Sequence, residues 1–385
     1  MDVNMLFTDI TVTQAERDVI ARIDDVRQTL KYALSSPARW YGVLRRSTFA
    51  RAIQGSNSIE GYNVTAEDAI AAVDGGEPFD AEAHAWQAIT GYRDAMTYVL
   101  QLANDPHFSY DESLLRGLHY MMIHYDLSKN PGRWRPGPIS VVDEQKKEKV
   151  YEGPDAELVP KLMRELIDSV NTPDGVLPIV IRAALSHLNL AMIHPFSDGN
   201  GRMARCLQTL MLAREGILEP EFCSIEEYLG RNTPEYYQVL ANVGRGAWHP
   251  ENDAKPWIRF CLIAHFRQAS LLLRRSKETK RIWDSLELEL SNRGLPERCI
   301  MALADAAFGL RVKNATYRSA ADVTENVASR DLKELVDAGF LVSTGEKRGR
   351  YYEASSLVRS IRERSREPRA NIDPFTMENL RLPGM

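Results

Sequence analysis

The residues best equipped for chemistry lie together in twelve consecutive positions, 194–205, reading His-Pro-Phe-Ser-Asp-Gly-Asn-Gly-Arg-Met-Ala-Arg. Gly199 and Gly201 let a backbone turn through conformations closed to other residues and approach a ligand closely. A helix starting there points unpaired amide groups and a positive dipole end back at the loop. Arg202 and Arg205 share one face of its first turn, where cations oppose the dipole, so helix stability does not account for them. A polyanion held between two guanidinium forks and a ring of amides resolves that conflict. Asp198 adds one hard oxygen ligand suited to Mg2+ bridging phosphates. His194 is the one group in the stretch able to accept a proton near neutral pH.

These residues must be held by what flanks them. Segments 179–193 and 203–212 are apolar on enough faces to be buried helices, which makes the stretch a loop between two core elements. Burying so much polar chemistry is expensive unless each group finds a partner.

The stretch resembles the Fic family motif HPFx(D/E)GNGRxxR and matches it at every fixed position. The resemblance implies transfer of AMP from ATP to a hydroxyl group of a target protein. Residue by residue, it makes His194 the catalytic base, Phe196 the core anchor and Asp198 the Mg2+ ligand. Gly199, Asn200 and Gly201 would cradle phosphate oxygens, and Arg202 and Arg205 would bind the distal phosphates. It covers about residues 40–275.

Upstream, Val19, Ile20, Ile23, Val26 and Leu30 follow helical spacing, and a second helix is expected over 41–53. It leads into Gly-Ser-Asn-Ser-Ile-Glu-Gly at 55–61. By spacing alone this is a short helix with an exposed glutamate, stopped at Gly61. Within the family resemblance, Ser56, Glu60 and Gly61 fit the inhibitory pattern (S/T)xxxE(G/N). Glu60 would then pair with Arg205 where a γ-phosphate belongs, leaving the α-phosphorus out of line.

Two β-branched runs around a charged turn at 144–149 suggest a hairpin. It resembles the Fic flap, with Ile139, Ser140, Val141 and Val142 lining nucleotide or target backbone. An amphipathic helix is expected over 158–169, with a break at 171–175. In relatives, paired tyrosines past the motif contact adenine, which by analogy assigns Tyr236 to the base. Gly244 falls where some relatives carry asparagine, a departure at the nucleotide.

Residues 256–275 read as the last core helix, 274–280 as a charged link, and 281–292 as a further helix. Helices are expected over 297–308, 316–323 and 324–338, with strands at 340–343 and 350–353. This order resembles a winged helix-turn-helix domain, with Ser329, Arg330 and Lys333 facing outward. Between Lys347 and Arg369 eight Lys/Arg stand against three Asp/Glu, which favours contact with phosphates, whereas Glu325 and Asp331 oppose it. DNA and protein partners both stay open for this domain, as does a homodimer.

The expectation is therefore a mainly α chain: a Fic-type helical core with a β-hairpin flap, plus a small α+β winged-helix domain. The expected divisions are 1–104, 105–275, 281–360 and a loosely ordered tail at 361–385. A length of 385 residues suits two or three domains, and a formal charge of −5 argues against non-specific nucleic-acid binding by the whole chain. The four scattered cysteines suggest reduced thiols and a cytoplasmic location. The N-terminus lacks a signal-peptide pattern, and no apolar run reaches membrane-spanning length. Two other activities fit the same residues: nucleotide-sensing regulation of transcription, and removal of AMP with Glu60 orienting a water.

Overall fold

The computed structural model describes residues 5–8, 10–35, 39–143, 147–172, 177–346, 349–369 and 372–377. It is mostly helical, as expected. The first helices are α1 (Gln14–Leu34), α2 (Tyr41–Ile59), α3 (Ala66–Val73), α4 (Ala83–Leu102) and α5 (Glu112–Ile123). A hairpin of β1 (Ser140–Asp143) and β2 (Glu148–Glu152) follows, then α6 (Val159–Asn171), α7 (Ile179–Ile193) and α8 (Asn200–Arg214). Next come α9 (Glu226–Arg231), α10 (Thr233–Gly244) and α11 (Lys255–Asn292). The last elements are α12 (Ile300–Ala307), α13 (Asn314–Ala321), α14 (Glu325–Asp337), β3 (Leu341–Thr344), β4 (Tyr351–Ala354) and α15 (Ser356–Ser365). Part of the charged turn expected at 144–149, part of the break at 171–175, and Lys347 lie outside the described residues.

α7 and α8 form the centre because they are apolar nearly all round; Ile181, Leu188, Ile193, Met203, Leu207 and Leu210 are buried. α1 carries its five predicted apolar residues inward against α11, and Thr13 and Glu16 close a capping box at its start. The segment before α1 is tied to α7, where Asn189 accepts from the Phe7 N–H at 2.8 Å and donates to the Phe7 carbonyl at 3.0 Å.

Helices α2 and α9 touch through backbone. A Cβ on Gly230 would come within 2.7 Å of the Gly55 Cα, so both positions need glycine for space. That close approach sets how far the end of α2 reaches toward α8.

Two expectations are corrected. The charged link at 274–280 is the middle of the 38-residue helix α11. Its residues are good helix formers, and the pairs Arg274–Glu278 and Lys280–Asp284 at 2.6 Å bind successive turns, so the charges mark a solvated helical face. The expected loose tail contains an ordered turn at 372–377, where Arg22 donates to the Met377 carbonyl at 2.8 Å and Arg267 to that of Ile372 at 3.1 Å. Ile372 and Phe375 supply the apolar anchors for it. Residues 370, 371 and 378–385 of that tail lie outside the described residues. Among the described residues no helix is long and apolar enough to cross a membrane. The four cysteines are buried and unpaired with one another.

Candidate active site

The loop between α7 and α8 begins at His194, which ends α7 in the left-handed region at φ 52°. Its Nδ1 lies 3.1 Å from the Ala191 carbonyl oxygen. A carbonyl only accepts, so Nδ1 carries the proton and Nε2 keeps a free lone pair. Burial lowers the His194 pKa from the ordinary 6.5, against the upward pull of the Glu60 carboxylate. The imidazole is thus a neutral base with its basic nitrogen uncommitted.

The rest of the loop is held from behind. Phe196 is fully buried, stacked on His119 with ring centres 3.7 Å apart, and Trp134 packs beside it. His119 accepts from the Gly132 N–H at 2.8 Å and donates from Nε2 to the Asp198 carbonyl at 2.9 Å. Burial lowers its pKa to about 4, so it bridges as a neutral ring. Asn200 closes a two-way bond with the Phe196 backbone, accepting at 2.8 Å and donating at 2.9 Å. Its side chain is therefore occupied, which leaves its backbone N–H as the donor facing the loop.

Arg135 clasps the loop to the hairpin. Its Nε donates to the His194 carbonyl, its Nη1 to Gly137 at 2.6 Å and its Nη2 to Pro154, and it is buried. Sequence reasoning missed both His119 and Arg135. The histidine sits on an apolar helix face like any core histidine. The arginine had one faint signal, its place between Trp134 and Pro136 in a glycine-rich approach to the strands.

Gly199 starts α8 at φ 76°, leaving the amides of its first turn to face the loop. Arg202 is fully buried, yet its Nε, Nη1 and Nη2 have no hydrogen-bond partner among the described residues. Asp198 Oδ1 lies 4.0 Å away, and the Tyr125 hydroxyl approaches without completing a well-formed bond. Three buried cationic donors without an acceptor are costly, and an anion is the chemistry that would answer them.

Arg205 is differently placed. Its Nε donates to Ser56 Oγ at 2.8 Å, and its Nη2 to the Ser56 carbonyl at 3.0 Å and to Glu60 Oε1 at 2.7 Å. Its Nη1 has no partner among the described residues. The Glu60 carboxylate also lies against Gly201, so it occupies space at the amino end of α8. Burial works to raise the Glu60 pKa, but Arg205 and Arg202 outweigh it and hold the group below the ordinary carboxylate value. Glu60 is thus held as an anion between Arg205 and the amino end of α8.

The turn that presents Glu60 is tightly fixed. Gly61 adopts φ 84°, Tyr62 N–H bonds the Asn57 carbonyl at 3.0 Å and Gly61 N–H that of Ser58 at 3.1 Å. This is a Schellman stop, which needs glycine at the left-handed position. The Tyr237 hydroxyl donates to the Ile59 carbonyl at 3.0 Å and pins the same end.

The hairpin lies beside His194. Ser140 pairs with Glu152 and Val141 with Tyr151, and the register shifts between Val141 and Val142. Ile139 precedes the strand and accepts from Gly153 N–H at 3.1 Å. The Tyr151 hydroxyl donates to the Met192 carbonyl at 2.9 Å and fastens the hairpin to α7. Among the described residues β1 pairs only with β2, so its outer edge is open to an extended peptide.

The structure corrects the assignment of Tyr236 to adenine. That ring is 1% exposed, packed on Trp257 and Phe260, and its hydroxyl lies 3.0 Å from His187 Nε2. It offers no open face for a base. The neighbouring Tyr237 is the exposed one.

Comparisons with known proteins agree with this geometry. Residues 109–212 match the family model described as Fic/DOC. The chain is 27% identical over 255 residues to a protein adenylyltransferase Fic of Nematostella vectensis, covering 65% of this chain and 54% of that protein. It is 34% identical over 119 residues to protein adenylyltransferase fic-1 of Caenorhabditis elegans, covering 30% of this chain and 20% of that protein. The chain thus spans about half, or less, of the length of these curated relatives. A crystal structure of a Fic family protein from Desulfovibrio desulfuricans shares the fold at a TM-score of 0.57 and 21% identity, over 90% of this chain and 98% of that one.

Proposed function

We propose that this chain, which carries a Fic/DOC domain over residues 109–212, is a protein adenylyltransferase held inactive by its own Glu60. The observation that carries the reading is the contrast between the two buried arginines. Arg202 has every nitrogen waiting, whereas Arg205 is answered by a carboxylate from the preceding segment. A triphosphate needs both.

In the active arrangement Glu60 withdraws and ATP lays its distal phosphates on Arg202, Arg205 and the first-turn amides of α8. A target segment pairs along the open edge of β1, with Ile139, Ser140, Val141 and Val142 nearest, and brings a hydroxyl to His194. Nε2 takes the hydroxyl proton as its oxygen bonds the α-phosphorus; the bond to the β-phosphate oxygen breaks and pyrophosphate leaves. His194 works as a base because Ala191 fixes its tautomer and burial keeps it neutral.

Asp198 is partly exposed, with one oxygen on the Gly199 N–H at 2.6 Å. Among the described residues no three acidic, histidine or cysteine groups converge on a point. Asp198, a partly exposed carboxylate at the phosphate end of the loop, would hold Mg2+, which would supply neutralisation of charge on the leaving group.

Labelling with ATP radioactive at the α-phosphorus tests the reading. Glu60→Gly should incorporate more AMP into itself or lysate proteins than the wild type, and Glu60→Gly/His194→Ala should incorporate none. Equal labelling of wild type and Glu60→Gly would remove the inhibitory role.

A further inference from the structure

The turn that carries Glu60 also carries Tyr62, which faces the other arginine. The Arg202 guanidinium carbon lies 5.2 Å from the centre of the Tyr62 ring. None of its nitrogens completes a well-formed hydrogen bond among the described residues, so the ring is a neighbour that can hold the guanidinium without taking an N–H. Behind Tyr62 the stack continues: His84 meets it edge-on at 5.3 Å, and Tyr125 meets His84 at 5.6 Å. Tyr62 is thus the ring against the buried cation, held in turn by His84, with the Tyr125 hydroxyl close to both Tyr62 and Arg202.

Hydrogen bonds would orient an arginine too, but each would remove a donor the anion needs. An aromatic face attracts the cation through its quadrupole and leaves all the N–H donors free. Arg205, by contrast, uses its Nε and Nη2 on Ser56 and Glu60.

We infer that Tyr62 is a positioning residue for Arg202, its ring holding the guanidinium edge toward the distal phosphates of a nucleoside triphosphate. This rests on the function proposed above and gives the inhibitory turn two opposed roles. Glu60 closes the phosphate site at Arg205, and two residues later Tyr62 keeps it shaped at Arg202. Activation then requires the Glu60 side chain to swing aside while the turn stays docked; wholesale loss of the turn would leave Arg202 without its support.

The test compares ATP and AMP binding by calorimetry in Glu60→Gly protein and in that protein with Tyr62→Phe, Tyr62→Leu or Tyr62→Ala added. Phe keeps the ring and loses the hydroxyl; Leu keeps bulk and loses the π face. The expected result is ATP affinity within about twofold for Phe, and a loss of about tenfold for Leu and Ala. AMP affinity should stay unchanged throughout, because AMP has no distal phosphate. Equal loss of ATP and AMP would show a merely structural ring, loss in Phe would move the role to the hydroxyl, and full ATP affinity in both Leu and Ala would show no role; each overturns the inference. Failure of Glu60→Gly itself to bind ATP defeats the proposed function, and this inference with it.

Discussion

Arg135 Nε donates to the His194 carbonyl oxygen at 2.9 Å, while the Arg135 backbone N–H donates to the Pro195 carbonyl at 2.8 Å. One buried residue thus fixes the main chain of the base and of the residue after it, and through Gly137 and Pro154 it holds the segments flanking the hairpin. A left-handed His194 is uncommon for a residue with a side chain and persists because these bonds over-determine it.

In the Glu60→Gly background, Arg135→Lys should lower kcat by on the order of 10²-fold, since one ammonium cannot reach the three carbonyls the guanidinium holds and a small misplacement of the base is costly. ATP affinity should change little, because Arg135 does not face the phosphates. Steady-state labelling with separate nucleotide titration checks this; a loss confined to ATP binding would contradict the clasp.

His194→Ala in the same background should reduce labelling by roughly 10²–10⁴-fold while ATP still binds. The pH profile follows from the sign of the shift. Burial lowers the His194 pKa, so the neutral base prevails at pH 6.5 and above. Activity should therefore be flat through neutrality and fall only on the acid side, below the ordinary histidine value. A fall beginning above pH 7 would point to a different base.

Gly61→Ala forces a side chain into the left-handed region, at a cost of about 1–2 kcal/mol. Nothing lies within 4 Å of the added carbon, so the strain is conformational and local to the turn. The expected outcome is a small drop in unfolding free energy with a rise in basal AMP transfer, because the turn that aims Glu60 loosens. Denaturant titration and labelling on one preparation would read both.

His119 ties stability to acid. Its folded pKa of about 4 lies below the unfolded 6.5, so the unfolded chain binds more protons as pH falls between those values. The contribution is complete above pH 6.5 and declines by about 1.4 kcal/mol per pH unit toward pH 4. His187, whose pKa burial lowers to about 3, adds a parallel decline. His119→Asn should flatten the wild-type dependence between pH 6.5 and 5 by about that slope, as urea unfolding across this range would show.

Much of this was legible from residue types. Apolar periodicity marked α7 and α8, and Gly199 with two arginines marked the loop between them as the place to look for chemistry. The Ser56–Glu60 spacing acquired meaning only through the family resemblance, since four residues on a helix face is a common interval. Tyr236 misled because an aromatic residue on a helix looks the same whether it stacks a base or fills a core; here His187, Trp257 and Phe260 enclose it. Residues 274–280 misled because charge suits both linkers and solvated helix faces. Arg135 and His119 were hidden because their partners are backbone carbonyls and amides, which leave no mark on a sequence.

That unbroken α11 changes how the chain can be cut. A boundary placed at 275–280 would sever a rod about 57 Å long at its middle. The distal half would keep Ile282, Trp283, Leu286 and Leu290, all buried in the intact protein, with part of their packing removed. Fragments beginning there should be sticky and poorly soluble for reasons unrelated to catalysis, because α11 packs on α1 as well as on α12 and α15 and no cut within it leaves both sets of contacts whole.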